Sequence, residues 1–176
     1  MPHDVDDAVL RRFVDGDRDA FEALYRQFDR EAYRWILRIV RDPAAADDAL
    51  VETFWRVYRG RARFDPSRPF GAWLRRIATN AALDQVKRMA SRPSQHDGRD
   101  VEAPAAPDAT VRATIVTAVH ALPVKLRVVA LLALVEEQPL ADIADALDLP
   151  IGTVKSRLFR ATRTLRAELT RLGIER

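Results

Sequence analysis

The C-terminal third of the chain carries the pattern that most constrains its fold. Residues 140–147 predict a short helix, in which Ala144 is small enough to let a second helix cross closely. Asp148-Leu149-Pro150 predicts a turn, because Pro150 presets φ and its missing N–H is not needed at a helix start. Apolar residues then recur at helical spacing: Val154, Leu158, Ala161, Leu165, Leu169 and Leu172. The segment therefore predicts a helix-turn-helix.

The second helix of this motif also carries residues that suit DNA. Thr153 and Ser156 are short hydrogen-bonding residues near its N-terminus, where recognition helices meet base edges. Cations lie off the apolar stripe: Lys155, Arg157, Arg160, Arg163 and Arg166. A basic helix is more often a solvated surface, but the turn and helix in front of it favour contact with DNA.

Charge is distributed in two basic islands rather than evenly. Residues 51–90 hold nine Lys and Arg against three Asp and Glu, and residues 150–176 hold seven against two. Residues 1–50 are acidic, with eight cations against twelve carboxylates. Two separate islands are typical of a protein that touches a nucleic acid twice. Because phosphate contacts weaken as salt rises, both contacts are predicted to be salt-sensitive.

Composition excludes several classes of protein. The chain has no cysteine, which excludes disulfides, thiolate chemistry and cysteine-ligated metals. No apolar run approaches the roughly 18–20 residues of a membrane span. The N-terminal Met1-Pro2-His3-Asp4 does not resemble a signal peptide, so we expect a cytoplasmic protein.

No arrangement of residues typical of an enzyme is present. The three histidines, His3, His96 and His120, lack the spacing of metal ligands, and no phosphate-binding glycine motif occurs. Asp47 and Asp48 are adjacent, so they project about 100° apart on a helix, a poor geometry for paired carboxylates. The sequence predicts a protein that is not an enzyme and needs no metal or cofactor.

The chain is predicted to be all-α, with two small domains joined by a flexible linker. The linker is residues 91–110, which are rich in Pro, Ser, Ala and acidic residues and hold one large aliphatic, Val101. The domains are residues 1–90 and 111–176. Periodicity and Gly or Pro breaks predict eight helices: about 5–15, 18–40, 44–59, 70–89, 110–122, 124–135, 140–147 and 151–172.

Aromatic residues are concentrated in the first domain, where 12 of 13 lie between Phe13 and Trp73. Aromatic side chains can stack on unpaired bases, but most of these recur at spacings that favour a helical core. Phe64 and Phe70 differ, because they flank a loop beside four arginines. For these two, packing and nucleic-acid contact remain equal alternatives.

Several segments, in order, resemble the bacterial sigma-70 family of RNA polymerase sigma factors. The runs 47–58 and 70–88 are similar to conserved region 2. Ala121-Leu122-Pro123 and the helix-turn-helix are similar to region 4. The two-lobed layout, and the run 14–25, resemble the extracytoplasmic-function type, or group 4. The resemblance implies an alternative sigma factor that binds core polymerase, recognises −35 and −10 promoter elements and promotes DNA melting.

The resemblance also implies partners and roles for residues. The partners are promoter DNA, the core polymerase through its β′ clamp helices and β subunit, and an anti-sigma protein. Candidates for core binding are Asp48, Glu52 and Arg56, which share one helical stripe, with pairing among themselves as the alternative. Ala49 and Val51 depart from the Leu and Gln that the family usually has there.

The same resemblance assigns the two DNA-binding sites. Candidates at the −10 element are Arg61, Phe64, Asp65 and Ser67 from the loop and Arg75, Arg76, Asn80, Lys87 and Arg88 from the helix. Asn80 can pair with a base edge, while the cations hold phosphates. Candidates at the −35 element are Lys155, Ser156, Arg157, Phe159 and Arg160, together with Thr153 from the motif itself. Phe159 can touch a thymine methyl group.

The sequence departs from the family pattern at two places near the helix-turn-helix, and a second function remains as an alternative. Asp148 stands where the family's turn usually has Gly, but Asp tolerates the left-handed conformation, so we expect the turn to form. Gln138-Pro139 replaces a common apolar-Ser pair. The rival is a helix-turn-helix regulator whose N-terminal lobe binds a ligand or dimerises. Such a lobe would not need the basic island at residues 51–90.

Overall fold

The computed structural model describes residues 5–91 and 109–171, and every regular element within them is helical. The chain divides into two compact units, residues 1–97 and residues 98–176. The predicted all-α class with two helical domains is therefore confirmed. Most of the predicted linker, residues 92–108, lies outside the described residues.

The described residues of the first unit, 5–91, form four helices and a short 3₁₀ turn. They are α1 (Asp7–Val14), α2 (Arg18–Val40), α3 (Pro43–Gly60), the 3₁₀ turn (Arg61–Arg63) and α4 (Phe70–Ala90). Asp6, Asp17 and Asp42 cap the first three helices, because each carboxylate accepts a backbone N–H of the first turn. Gly16, at φ +92°, makes the turn between α1 and α2. Each helix starts where the sequence predicts, within two residues.

The core of the first unit is built on aromatic rings. Helices α2, α3 and α4 pack against one another, and α1 closes one side. Phe13 is fully buried and contacts Phe64, Phe70 and Trp73, with ring centroids 5.7–6.4 Å apart. Away from this cluster, the Trp35 indole N–H donates to the Thr79 hydroxyl (3.0 Å) and ties α2 to α4.

The described residues of the second unit, 109–171, form four helices and a π-helical turn. They are α5 (Ala109–Ala121), α6 (Val124–Ala130), the π turn (Leu131–Val135), α7 (Leu140–Leu147) and α8 (Ile151–Arg171). The sequence predicts one continuous helix over 124–135, but its last turn widens, with Glu136 N–H bonded to the Leu131 carbonyl (3.1 Å). Residues 109 and 110, predicted as linker, belong to α5.

The helix-turn-helix forms as predicted. Asp148 ends α7 in the left-handed conformation, at φ 51° and ψ 53°. The Leu149 N–H bonds the Ala144 carbonyl (2.9 Å), which is the closing bond of a helix C-terminus. Ala144 is buried, and α7 packs on α8. Asp therefore serves at a position where glycine is the usual choice.

Candidate nucleic-acid and polymerase interface

Helix α8 presents an open polar face. Val154 and Ala161 are fully buried and hold the helix on the unit. On the opposite side Lys155, Ser156, Phe159 and Arg160 are all exposed, and Phe159 is 67% exposed. Phe159 therefore contributes little to the packing of the second unit, and within that unit this face of α8 is open.

The other two candidates on α8 lie at the edge of this face. Thr153 and Arg157 are partly buried. The Ser156 hydroxyl donates to the Thr153 carbonyl (3.0 Å), and Arg160 Nε donates to the Ser156 carbonyl (3.3 Å). These bonds are local to one helix turn, so the structure brings the six candidates together on one surface without committing their side chains to another element.

Helix α4 divides its candidates between two faces. Arg76 and Lys87 are exposed and Asn80 is partly exposed. Spacings of four and seven residues place these three on one outward stripe. Arg88 is exposed beside the stripe, and Lys87 Nζ lies 3.4 Å from Asp84 Oδ1. Asn80 therefore lies between Arg76 and Lys87 on the outward side of α4.

Arg75 is buried, so the prediction that it holds a phosphate is wrong. Its side chain is 7% exposed, and its guanidinium lies over the Trp35 ring, 5.5 Å from the centroid. The reason is its position on the circumference of α4, which places it on the face shared with buried Thr79 and Ala82. Arg75 therefore contributes to packing between helices.

Phe64 and Phe70 are both buried in the core. The prediction that Phe64 binds the −10 element is therefore wrong, and packing is the correct alternative for Phe70 as well. Phe64 is 5% exposed and Phe70 is 2% exposed. The Phe64 ring lies 4.7 Å from Trp73 and 5.5 Å from Phe70, centroid to centroid. It therefore belongs to the core and does not line the loop surface. The packing of α1 on this loop, through Phe13, covers the ring.

Arg61 also folds back onto the unit. Its Nη1 donates to the Tyr58 carbonyl (2.9 Å), and its guanidinium lies 4.5 Å from the Tyr58 ring centroid. A Cβ placed on Gly16 would come within 3.3 Å of its Nε, so glycine makes room for it. The expected role of Arg61 in a base pocket does not fit this conformation.

Asp65 and Ser67 are the two loop candidates that remain exposed. The Asp65 carboxylate accepts from the Ser67 hydroxyl (2.7 Å) and the Ser67 backbone N–H (3.0 Å). Those two bonds, and then the charge of Arg68, hold the pKa of Asp65 below its ordinary value. The turn thus presents an ionised acceptor to solvent.

The stripe predicted to bind core polymerase is tied into the unit. Arg56 Nε donates to Glu52 Oε1 (2.7 Å), and Arg56 Nη1 donates to Asp84 Oδ2 of α4 (3.0 Å). Burial opposes the charge of Arg56, but the bonds to Glu52 and Asp84 outweigh it and raise the pKa of Arg56. Asp48 is exposed and accepts from Gln85 Nε2 (3.2 Å). The alternative of internal pairing thus holds for Glu52 and Arg56.

An exposed apolar pair, which was not predicted from the sequence, lies next to that stripe. Val51 is 72% exposed and Trp55 is 54% exposed, one turn apart on α3. The Arg59 guanidinium lies 5.9 Å from the Trp55 ring centroid. Their helical spacing was visible in the sequence, but it resembles that of the core aromatics of the same unit. Only the packing separates the two sets.

Within residues 5–91 and 109–171, no cluster of three or more His, Cys, Asp or Glu residues could hold a metal ion. In the same described ranges, no helix is both long and apolar enough to cross a membrane.

Comparison with known proteins decides the family. Residues 24–92 match the family model of sigma-70 region 2, and residues 112–165 match that of sigma-70 region 4. The chain is 35% identical over 173 residues to the ECF RNA polymerase sigma factor SigM of Mycobacterium tuberculosis, covering 97% of this chain and 86% of SigM. This chain belongs to the extracytoplasmic-function (ECF) sigma factors of the sigma-70 family.

Solved structures share the fold of this sigma factor. CnrH, solved in complex with the cytosolic domain of CnrY, has a TM-score of 0.65 and 24% identity, over 95% of this chain and 98% of that one. The sigma factor RpoE of Bartonella quintana, solved in complex with the anti-sigma factor NepR, has a TM-score of 0.61 and 19% identity, over 85% and 96%. In the sigma factor described here, α3 and α4 lie in region 2 and most of α8 lies in region 4.

Proposed function

We propose that this sigma factor binds core RNA polymerase, reads the −10 element with the outward face of α4 and reads the −35 element with the exposed face of α8. One observation carries the proposal. Each of the two regions presents a helix whose outward face combines cations with a side chain able to read a base: Arg76, Asn80 and Lys87 on α4, and Lys155, Phe159 and Arg160 on α8. The rival regulator with a ligand-binding lobe does not account for the face on α4.

At the −35 element, α8 lies in the major groove with its N-terminal half toward the bases. Arg160 or Lys155 donates to guanine, and Phe159 contacts a thymine methyl group. Thr153, Ser156 and Arg157 complete the surface. The buried stripe through Val154 and Ala161 keeps the helix rigid, so few side-chain rotamers must be ordered on binding.

At the −10 element, Asn80 reads a base edge while Arg76, Lys87 and Arg88 hold the backbone. Asp65 and Ser67 in the preceding loop offer acceptors to a base that leaves the stack. Extruding a base costs on the order of a few kcal/mol, which contacts to the captured base must offset. Because Phe64, Arg61 and Arg75 fold onto the unit, the −10 sequence is recognised by the exposed polar residues of the loop and of α4.

Core polymerase binds the α3 side of the first unit, through its β′ clamp helices. Asp48 is the exposed member of the stripe, and Glu52 and Arg56 shape the surface through their mutual pair. The β subunit is the second polymerase contact. An anti-sigma protein is a further partner, since CnrH and RpoE, which share this fold, were solved with CnrY and NepR. The protein acts by binding, without a catalytic step, in the cytoplasm where promoters and polymerase lie.

The proposal is tested by run-off transcription with core enzyme and a library of promoters. The full chain is expected to direct initiation from a subset that shares two elements. Asn80→Ala is expected to broaden the preference at the −10 element alone, and Arg160→Ala the preference at the −35 element alone. A chain that binds core but selects no promoters would refute DNA readout by these faces.

Reversing the charge of Asp48 tests the polymerase contact. Asp48→Lys is expected to weaken binding to core, measured directly with purified polymerase, while the helical content stays unchanged. The matched control is Asp47→Lys, since Asp47 is also exposed on α3 but lies outside the stripe. Equal loss of affinity in both variants would mean that net charge, and not the stripe, determines binding.

A further inference from the structure

Helix α2 carries a row of arginines that no role assigned above explains. Arg30, Arg34 and Arg38 are exposed and follow one another at four-residue spacing. Arg34 Nε donates to the Arg30 carbonyl (3.2 Å). None of the three forms an ion pair with a carboxylate in the described part of the chain. Like charges at this spacing destabilise a helix, so the row lowers the stability of α2 in the free protein.

The direction of α2 relative to α4 places this row. Near the start of α4, the Phe28 ring packs on Phe70, with centroids 5.3 Å apart. Further along both helices, Trp35 bonds Thr79. Contacts therefore advance in the same sense on the two helices, which run parallel.

Parallel right-handed helices that touch through Trp35 and Thr79 have a defined outer side. Each successive residue of an α-helix is rotated by about 100° in the same sense. The residue that precedes Trp35 and the residue that follows Thr79 therefore project to one side of the helix pair. The residue that follows Trp35 and the residue that precedes Thr79 project to the other side. The first pair is Arg34 and Asn80, which are exposed and partly exposed. The second pair is Ile36 and Ala78, both fully buried. Burial thus agrees with the geometry.

The arginine row therefore lies on the same side of the unit as the outward face of α4. Arg30 and Arg38 stand one turn either side of Arg34, so all three project with it. Arg76 and Lys87 share the stripe of Asn80. Two parallel helices thus expose one continuous surface, with arginines along one edge and Asn80 between cations along the other.

We infer that Arg30, Arg34 and Arg38 form a second contact with the DNA phosphate backbone, beside the −10 surface on α4. The inference rests on the proposed role of α4. The row spans about 12 Å at 1.5 Å per residue. A DNA strand carries one phosphate per roughly 3.4 Å of axis, so the row faces about three or four phosphates. Its contact is independent of sequence, because arginines at this spacing meet charge and not base edges.

The test measures how holoenzyme affinity for DNA depends on salt. The probe is a labelled promoter fragment selected from a random library by the wild-type holoenzyme. Arg30, Arg34 and Arg38 are replaced together by Ala. Each phosphate contact contributes about 0.7–0.9 to the slope of log K against log salt, so the slope is expected to become shallower by about 2–3. The triple Lys variant is expected to keep the slope, because phosphates accept either cation.

The matched control replaces Arg11, Arg18 and Arg59 by Ala. These are three exposed arginines of the same unit that do not form the row. An unchanged slope in the control and a shallower one in the row variant support the inference. If the slope changes equally in both variants, net charge and not the row determines the salt dependence, and the inference is wrong. If the row variant keeps the wild-type slope but binds core polymerase more weakly, the row contacts a protein partner, and the inference is again wrong.

Failure of this inference is distinguishable from failure of the proposed function. If Asn80→Ala alters the −10 preference while the row variant keeps the wild-type slope, the proposed phosphate contact of α2 is wrong and the proposed role of α4 is supported. If Asn80→Ala has no effect on preference, the role of α4 falls, and the inference falls with it. Thermal melting of the row variant is expected to match wild type, because the three side chains are exposed.

Discussion

The two units differ in how they expose their candidate DNA-binding residues. In the second unit, α8 is held along one stripe, and its six candidate DNA contacts stay on or beside the open face. In the first unit, α4 packs against both α2 and α3, and its candidates divide between surface and interior. Arg75 and Arg76 are neighbours in sequence, yet one is buried and the other exposed. Periodicity therefore locates the exposed face of α8, whereas on α4 it does not show which faces a neighbouring helix covers.

The two units also differ in how their helices are capped at the N-terminus. Three helices of the first unit start at an Asp carboxylate that accepts backbone N–H groups, at Asp6, Asp17 and Asp42. Helices α6 and α7 of the second unit start after Pro123 and Pro139, with no bond from a capping side chain. The first unit therefore depends more on ionised carboxylates, and the second on preset backbone angles.

The largest expected effect contrasts two phenylalanines. Phe64→Ala removes a buried ring and is expected to destabilise the first unit by about 3–5 kcal/mol. Phe159→Ala removes an exposed ring and is expected to change stability by no more than about 0.5 kcal/mol. It should instead reduce discrimination for thymine in the −35 element. Thermal melting and binding to −35 variants measure both effects. Equal destabilisation by the two substitutions would contradict the conclusion that Phe64 is a core residue and Phe159 a surface residue.

The next effect tests the open face of α8. Arg160→Ala is expected to cost about 1–3 kcal/mol of promoter binding if the guanidinium makes a bidentate contact with guanine. Affinity for core polymerase should be unchanged. Arg166→Ala is the control, because Arg166 is exposed further along the same helix. A loss of core affinity with normal promoter binding would contradict the assignment of α8.

The third effect separates the two faces of α4. Arg75→Ala removes a buried cation from the Trp35 ring and is expected to lower the stability of the first unit by about 2 kcal/mol. Arg76→Ala should leave stability within about 0.5 kcal/mol. It should weaken DNA binding alike across −10 sequences. If Arg76→Ala also unfolds the unit, α4 has no free face and cannot read DNA.

The smallest effect concerns pH and the caps. Asp17 accepts from Arg12 Nε (2.7 Å) and from the N–H groups of Asp19 and Ala20, and these bonds hold its pKa below 3.8. The charge therefore stabilises the fold above pH 3.8, and that contribution is lost as the pH falls through the lowered pKa. Asp17→Asn keeps a capping side chain but removes the charge.

The Asn variant is expected to be slightly less stable than wild type at neutral pH, with the difference closing in acid. Melting temperatures between pH 7 and pH 2 measure it. A constant difference across that range would show that the charge of Asp17 plays no part.

Local sequence determined the parts of this protein that depend on neighbours in the chain. The Asp148 turn, the starts of the helices and the polar face of α8 follow from periodicity, proline and capping residues, and all appear in the structure. Phe159 is exposed because its helix has a single apolar stripe, which the sequence shows directly. The π turn after α6 departs from the continuous helix that the sequence predicts over 124–135.

Tertiary structure alone decided which candidates of the first unit reach solvent. Phe64 is covered because α1 packs on the loop, and Arg56 is engaged because α4 brings Asp84 within 3.0 Å. The shared side of Arg34 and Asn80 requires knowing that α2 and α4 run parallel. These features depend on the relative placement of residues 28 to 51 positions apart. Periodicity describes the faces of one helix, and it carries no information about which neighbour covers each face.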